Sequence, residues 1–119
     1  MALRLINRGD IWLINLDPTL GHEQSGIRPA LIISDDLLNQ SLAELVIVLP
    51  ITSKNKGISS HVEIHSDFLP TISYITTEDI RSVSVERLIK RIGSVDSFVL
   101  QKVKYHLSNL LGFTLTDTD

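Results

Sequence analysis

Residues 11–34 read IWLINLDPTLGHEQSGIRPALIIS, and this stretch decides the fold. It contains two apolar runs, Ile11–Leu16 and Ala30–Ser34. Short apolar runs bounded by turn residues predict buried strands, and Asp17-Pro18 stops the first of them. The stretch therefore predicts two buried strands that are joined by a polar loop, Thr19–Pro29.

The pattern of short apolar runs and turn residues continues towards the C-terminus. It predicts further strands over Leu45–Ile51, Tyr74–Val85 and Leu88–Val95. Apolar and polar residues alternate over His61–His65, which is typical of a strand with one polar face. Because little helix separates these strands, the sequence favours a bent antiparallel sheet over a parallel α/β fold.

Helix signals appear mainly near the C-terminus. Asp96 can cap a helix and Gly112 can end it. Between them, apolar residues recur at helical spacing: Val99, Val103, Leu107 and Leu110. A shorter helical turn is predicted from Asp35 to Gln40. We therefore expect a mainly β fold with a C-terminal helix, in which the sheet closes into a small barrel.

Composition indicates one globular domain over residues 1–119, with 43% hydrophobic residues and no cysteine. The absence of cysteine fits a reducing cytoplasm. The N-terminus lacks a signal-peptide pattern, and the longest apolar block, Leu45–Leu49, is far shorter than the ~20 residues of a membrane helix. We expect a cytoplasmic protein that does not enter a membrane.

The net charge of −3 argues against a general nucleic-acid coat protein, which would be basic. A local phosphate-binding site remains compatible with it, because phosphate contacts depend on where the charges lie. The acidic segments Asp35-Asp36 and Asp117–Asp119 are separate from a set of cations: Arg28, Lys54, Lys56, Arg81, Arg87, Lys90 and Arg91.

The predicted loop concentrates the most unusual chemistry of the chain: His22, Glu23, Gln24 and Arg28. Pro29 restricts Arg28 to an extended conformation, so the guanidinium group projects from a stiff segment. Functional sites are often built on such loops. The alternative is a polar hairpin loop in which Arg28 pairs with Glu23, and spacing alone favours neither interpretation.

Two further groups of residues are candidates for substrate binding. The first follows a buried strand and combines hydroxyl groups with positive charge: Thr52, Ser53, Lys54 and Lys56. Hydroxyl and ammonium groups are common phosphate ligands. The second is the mixed pair Glu78 and Arg81. Taken alone, each group is also explained as a strand end or a solvated face.

A metal site is considered because His61, Glu63 and His65 share one face of a predicted strand. The same alternation arises on any exposed strand, and no further ligand is evident. We therefore predict that the protein uses no metal and no cofactor.

Taken in order, these segments resemble the MazF/PemK (Kid-type) toxin family. The resemblance extends from Arg8 to Gly112, and its most specific part is the Glu-Gln-x-Gly-x-Arg-Pro pattern at Glu23–Pro29. The other matching segments are Arg8–Trp12, Leu16–Pro18, Pro50–Ser53, His61–Ile64, Glu78–Val83 and Arg87-Leu88.

The resemblance implies a small SH3-like β-barrel, the MazF/PemK-like and CcdB-like plasmid toxin fold. It also implies a homodimeric, sequence-selective mRNA interferase that cleaves single-stranded RNA without metal and is neutralised by an antitoxin. Arg28 and Thr52 match the family's functional arginine and threonine. His22 matches a histidine of PemK-like members, whose Arg-x-Asp pair is replaced here by Thr76 and Glu78.

Two other functions are kept as alternatives. One is a toxin of the same fold that binds a protein target, such as a topoisomerase, without cleaving RNA. It would arrest growth with RNA intact, and we expect it to expose an apolar patch near the C-terminal helix. The other is an SH3-like interaction module without activity, which would leave residues 21–28 without a role.

Overall fold

The computed structural model describes residues 5–18 and 20–113 of the chain. Thr19 and the acidic tail Asp117–Asp119 lie outside the described residues. The elements are β1 (Asp10–Asn15), β2 (Ile27–Ile32), α1 (Asp36–Asn39), β3 (Leu45–Thr52), β4 (His61–Ile64), β5 (Ser73–Thr76), β6 (Arg81–Ser84), β7 (Leu88–Ser94) and α2 (Ser97–Leu111), with 3-10 turns at Thr77–Asp79 and Val85–Arg87.

The prediction of one strand over Tyr74–Val85 is wrong. The chain forms β5 and β6 instead, separated by the 3-10 turn at Thr77–Asp79. Thr77 is fully buried, and its hydroxyl donates to the carbonyl oxygen of Ser60 at 2.8 Å. This contact between residues distant in sequence holds the turn. Consequently β5 pairs with the end of β3, whereas β6 pairs with its first half.

The second predicted strand, Ala30–Ser34, is confirmed as a strand but lies earlier in the chain. β2 begins at Ile27 and ends at Ile32. Arg28 and Pro29 interrupt the apolar run, yet they continue the antiparallel pairing with β1, where Arg28 lies opposite Ile14. The apolar run in the sequence therefore identified only the buried C-terminal half of this strand.

The sheet is a strongly bent antiparallel one. Its strand order is β4-β5-β3-β2-β1-β7, and β6 joins it by pairing with β3. Every pairing in the described chain is antiparallel, as predicted. The result is a small barrel-like fold with a C-terminal helix.

In the described part of the chain, β6 and β7 do not pair with each other. Two arginine side chains bridge the gap between them. Arg81, the first residue of β6, donates through Nη1 to the Leu16 carbonyl oxygen at 3.2 Å. Arg87 donates to the carbonyl oxygens of Asn15 and Asp17. These side chains tie the start of β6 and the turn before β7 to the end of β1, and β7 itself pairs with β1.

The strands at the centre of the sheet are buried on both faces, because successive residues of a strand point to opposite sides. Trp12 and Ile14 of β1 belong to the cluster inside the barrel, whereas Ile11 faces a second cluster. That second cluster is covered by α2 and includes Val103, which is fully buried. Burial on both sides explains why these strands read as continuous apolar runs.

Helix α2 begins and ends where the sequence predicts. The Asp96 carboxylate accepts a hydrogen bond from the Val99 amide at 3.0 Å, and Gly112 adopts a left-handed conformation with φ of 77°. Asp35 caps α1 in the same way, by accepting from the Leu37 amide. Among the described residues, no helix is long and apolar enough to cross a membrane.

The connection between β4 and β5, residues 65–72, is held against β7 by close packing. A Cβ atom at Gly93 would overlap the ring of Phe68, so the ring lies directly on the backbone of β7. The next residue, Leu69, is buried in the second cluster. These two contacts fix the position of the β4–β5 connection.

We predict that Gly93→Ala lowers the free energy of unfolding by about 1–3 kcal/mol, because the added methyl group must displace Phe68. Denaturant unfolding measures the change. The matched comparison is Phe68→Leu alone and combined with Gly93→Ala. If the contact is as described, the combined loss is smaller than the sum of the single losses. Strict additivity would show that Gly93 and Phe68 are independent.

Candidate functional site

An open cleft of about 310 Å³ lies where β2, the end of β3 and two loops meet. Its walls come from the β1–β2 loop, from the segment after β3 and from the β4–β5 connection. The lining residues are Gln24, Arg28, Pro29, Ile51, Thr52, Ser53, Lys54, Lys56, Leu69, Pro70, Thr71 and Ser73. The cleft brings together part of the predicted polar loop, Thr19–Pro29, and the hydroxyl-rich segment Thr52–Lys56, both identified in the sequence.

Sheet register explains why Arg28 and Thr52 meet. β2 and β3 are antiparallel, and Ala30 lies opposite Pro50. That pair is the last of the β2–β3 ladder. Arg28 lies two residues before Ala30 and Thr52 two residues after Pro50, so both side chains leave the same end of the strand pair and line one cleft, although they are far apart in sequence. The meeting of these two side chains is thus a consequence of strand pairing.

Arg28 is half-buried and its orientation is fixed from one side. Its Nε donates to the Ser25 carbonyl oxygen at 2.9 Å. No hydrogen bond from its terminal nitrogens to another described residue is present. The alternative interpretation, in which Arg28 pairs with Glu23, is not what these contacts show. The guanidinium group is therefore positioned to bind an anion in the cleft.

Thr52 is 5% exposed and sits at the last position of β3. Its Oγ1 accepts a hydrogen bond from the Lys54 amide at 3.2 Å. A hydroxyl that accepts from a backbone amide still has its own proton to donate. Ser53, Lys54 and Lys56 follow as exposed residues along the same wall. This wall combines hydroxyl donors with positive charge.

Gln24 is half-buried and lines the cleft, whereas His22 and Glu23 do not. Glu23 Oε1 accepts a hydrogen bond from the Leu20 amide at 2.8 Å, which ties this carboxylate to its own loop. The His22 side chain is exposed on the same loop, two residues before Gln24. Both titratable residues therefore lie beside the cleft rather than inside it.

Glu78 and Arg81 lie outside the cleft lining. Glu78 Oε2 is 2.6 Å from His61 Nε2, and Ser60 Oγ donates to Glu78 Oε1 at 3.1 Å. Partial burial alone would raise the pKa of Glu78, but the hydrogen bond to His61, a backbone hydrogen bond, the charge of His61 and the Ser60 hydroxyl outweigh it and lower that pKa. Arg81 is engaged at the barrel seam.

The polar residues of β4 form separate pairs instead of one cluster. His61 pairs with Glu78, whereas His65 Nε2 lies 2.7 Å from Glu63 Oε2. The described part of the chain contains no group of three or more His, Cys, Asp or Glu side chains that could hold a metal ion. Thr76, which replaces an arginine of PemK-like members, is fully buried and donates to the Pro50 carbonyl oxygen at 2.8 Å.

Sequence reasoning missed one wall of the cleft. This wall consists of Leu69, Pro70 and Thr71 of the β4–β5 connection and of Ser73, the first residue of β5. No local pattern marks these residues, because their position follows from the packing of Phe68 on Gly93. Only the tertiary fold brings them opposite Arg28.

Comparison with known proteins places the chain among small toxins. The sequence pattern of the PemK-like, MazF-like toxins of type II toxin–antitoxin systems matches residues 7–111. The chain is 32% identical to endoribonuclease PemK of Escherichia coli, over 89% of this chain and 82% of that protein. It is 33% identical to endoribonuclease EndoA of Bacillus subtilis, over 83% of this chain and 88% of that protein.

The fold has the same relatives. The crystal structure of MazF from Deinococcus radiodurans superposes with a TM-score of 0.82 and 28% identity, covering 92% of this chain and 99% of that one. A MazE–MazF crystal structure from the same organism superposes with a TM-score of 0.78 and 27% identity, covering 93% and 99%. The expected mainly β, barrel-like fold with a C-terminal helix is thereby confirmed, although the sheet of the described residues does not close between β6 and β7.

We predict that Glu78→Gln destabilises the protein at pH 7 but has little effect near pH 3. A carboxyl group with a lowered pKa in the folded state stabilises it above the unfolded pKa, and that contribution is lost as the pH falls through the folded pKa. Unfolding curves between pH 3 and 7 measure the difference. Glu86→Gln, at an exposed glutamate, is the control. An equal effect of Glu78→Gln at both pH values would contradict the prediction.

Proposed function

The chain belongs to the family of PemK-like, MazF-like toxins of type II toxin–antitoxin systems, and we propose that it is an endoribonuclease that cleaves single-stranded RNA. The name endoribonuclease belongs to its relatives. The observation that supports carrying it over is that Arg28 and Thr52 line one cleft, together with Lys54 and Lys56. Such a surface suits a phosphodiester backbone.

We infer that cleavage uses the ribose 2′-hydroxyl as the nucleophile. Its oxygen loses a proton to a general base and attacks the neighbouring phosphorus atom. The bond from phosphorus to the 5′-oxygen of the next nucleotide breaks, and that oxygen takes up a proton from the protonated base or from water. The products carry a 2′,3′-cyclic phosphate and a 5′-hydroxyl. Because the substrate supplies its own nucleophile, the protein has to orient the chain, stabilise charge and move protons. This route requires no metal ion.

Arg28 is assigned to the scissile phosphate, which gains negative charge on its oxygens in the transition state. A planar guanidinium group can donate two parallel hydrogen bonds to phosphate oxygens, and donors fixed in advance stabilise that charge most effectively. Thr52 donates its hydroxyl proton to a phosphate oxygen beside it, with Ser53 nearby. Lys54 and Lys56 hold the adjoining backbone of the RNA.

Removal of the 2′ proton is assigned to His22 or Glu23, which immediately precede Gln24 in the β1–β2 loop. Imidazole exchanges protons near neutral pH, which suits a general base. Both side chains are exposed, but the Leu20 amide occupies one oxygen of Glu23, whereas the His22 ring makes no hydrogen bond to another described residue. This difference favours His22 as the general base, and Glu23 is kept as the second candidate for that role.

We also propose that an antitoxin and a second copy of the chain bind this protein. The family name implies an antitoxin partner, and a MazF relative has been crystallised with MazE. An acidic antitoxin segment would complement the cations of the cleft as RNA does, so the two ligands would compete. Exposed apolar residues, including Phe98 and Phe113, offer surface for a homodimer.

The second candidate is a toxin of this fold that binds a protein target without cutting RNA. This function predicts exposed apolar residues near the C-terminal helix. Four such residues are exposed on α2: Phe98, Tyr105, Leu110 and Leu111. A homodimer contact explains the same exposure. The cleft with Arg28 and Thr52 has no role in this candidate, so the endoribonuclease is favoured.

We predict that Arg28→Ala lowers the rate of RNA cleavage by about 100-fold or more, because it removes a donor that stabilises the transition state. Arg28→Lys keeps the charge but loses the planar fork, and we expect it to remain strongly impaired. Cleavage of long single-stranded RNA, followed by gel analysis, measures both variants.

Lys104→Ala is the control for general loss of positive charge, since Lys104 is an exposed residue of α2 away from the cleft lining. It should cleave as the parent does. Circular dichroism must show all variants folded. Full activity of a folded Arg28→Ala variant would overturn the assignment.

We predict that cleavage proceeds in excess chelator and produces discrete fragments with 2′,3′-cyclic phosphate and 5′-hydroxyl ends. Mapping the fragment ends tests the reaction and reveals the recognised sequence together. Activity that disappears with chelator and returns with a divalent ion would refute the metal-free route. Intact RNA with a folded, antitoxin-free protein would favour the protein-binding toxin.

A further inference from the structure

We propose that Pro70 and Thr71 of the β4–β5 connection, together with Gln24 of the β1–β2 loop, contact the RNA base beside the scissile phosphate and determine which base is accepted. This inference rests on the proposed endoribonuclease function and adds the residues that set its sequence selectivity. The inference is based on the observation that these three residues line the same cleft as Arg28 and Thr52.

The β4–β5 connection is a rigid wall rather than a loose loop. Phe68 packs on the backbone of Gly93, and Leu69 is 7% exposed within the second cluster. The Leu69 amide also donates to the Ser66 carbonyl oxygen at 3.1 Å. Residues with fixed positions can discriminate between ligands that differ by a single polar group.

Pro70 and Thr71, the next residues of this wall, are held in place from the β5 side. Ser73 is buried, and its Oγ donates to the Thr71 carbonyl oxygen at 3.1 Å. This bond uses the backbone of Thr71 and leaves its side chain uninvolved. Pro70 and Thr71 are both exposed. The structure thus holds the backbone of Pro70 and Thr71 firmly while presenting their side chains to the cleft.

The lining residues of the β4–β5 connection carry no charge. The cations of the cleft, Arg28, Lys54 and Lys56, lie on β2 and on the segment after β3, and such groups contact phosphates without reading sequence. Thr71 and Gln24 are neutral, and both can donate and accept hydrogen bonds. Neutral groups of this kind read base edges in single-stranded RNA, whose unpaired bases are accessible on those edges.

Pro70 adds an apolar surface beside Thr71. A base that leaves the stack is commonly held against apolar or aromatic side chains while its edge is hydrogen-bonded. The proline ring can take the face of the base, while Thr71 and Gln24 take its edge. Together they form a small site whose polar requirements only some bases meet, so a mismatched base leaves a polar group unpaired.

The test compares the parent with Thr71→Val and Thr71→Ser by sequencing the ends of fragments from one long single-stranded RNA. Valine keeps the shape of threonine but lacks the hydroxyl, whereas serine keeps the hydroxyl. We expect Thr71→Val to change the preference between bases at one position next to the cut by about tenfold, and Thr71→Ser to retain the parent's preference. Gln24→Leu should change the preference at that same position.

Ser82→Ala is the matched control, because Ser82 is an exposed hydroxyl residue of β6 outside the cleft lining. It should leave the cut sites unchanged. A uniform loss of rate in Thr71→Val, with the parent's base preference at every position, would overturn the inference. The proposed function would survive that result, since the parent would still cut RNA.

A binding measurement separates the inference from catalysis. Arg28→Ala protein is titrated with short fluorescent RNA oligonucleotides that differ at the selective position, with and without Thr71→Val. We expect the added substitution to reduce the difference in affinity between oligonucleotides. An unchanged difference would contradict the inference. If the parent neither cuts nor binds RNA, the proposed function itself fails.

Discussion

Strand β3 is hydrogen-bonded along both edges, and the rest of the structure depends on this arrangement. One edge carries β2, whereas the other carries β6 along its first half and β5 at its end. The first half of β3 therefore builds the inside of the barrel, and its end builds the cleft. Since β2 is antiparallel to β3, Arg28 and Thr52 lie at the same end of this strand pair and line one cleft. Barrel and cleft are consequences of one strand's partners.

The sequence predicted the elements whose signals are local. Capping by Asp96 and most strands were confirmed. Of the periodic apolar residues of α2, Val99, Val103 and Leu107 pack in the second cluster, whereas Leu110 is exposed. The split of Tyr74–Val85 was not predictable, because a buried Thr77 hydroxyl finds its acceptor on Ser60, far away in sequence. The wall formed by the β4–β5 connection was not predicted either, because its position also depends on contacts between residues far apart in sequence. Resemblance to a family selected Arg28 and Thr52, and strand register explains their proximity; their roles remain proposals.

The net negative charge of the chain conceals a basic cleft. Several carboxylates are committed to the fold: Asp96 and Asp35 cap helices, and Asp10 pairs with Arg91 at 3.0 Å. Arg28, Lys54 and Lys56 line the cleft without a carboxylate among the described lining residues. Electrostatic attraction acts over roughly 10 Å at ordinary salt, so a polyanion responds to this local charge more than to the total. A global pI is therefore a poor guide to the partners of this protein.

The β4–β5 connection separates the residues that hold it from those it displays. Phe68, Leu69 and Ser73 secure the segment, whereas the side chains of Pro70 and Thr71 are exposed. Exposed side chains away from such anchoring contacts can usually be exchanged at little cost in stability. Natural variation can therefore accumulate at these two positions in a lineage while the barrel is conserved. Under the proposed base selection by Pro70 and Thr71, a few codon changes would alter the target while leaving the barrel intact.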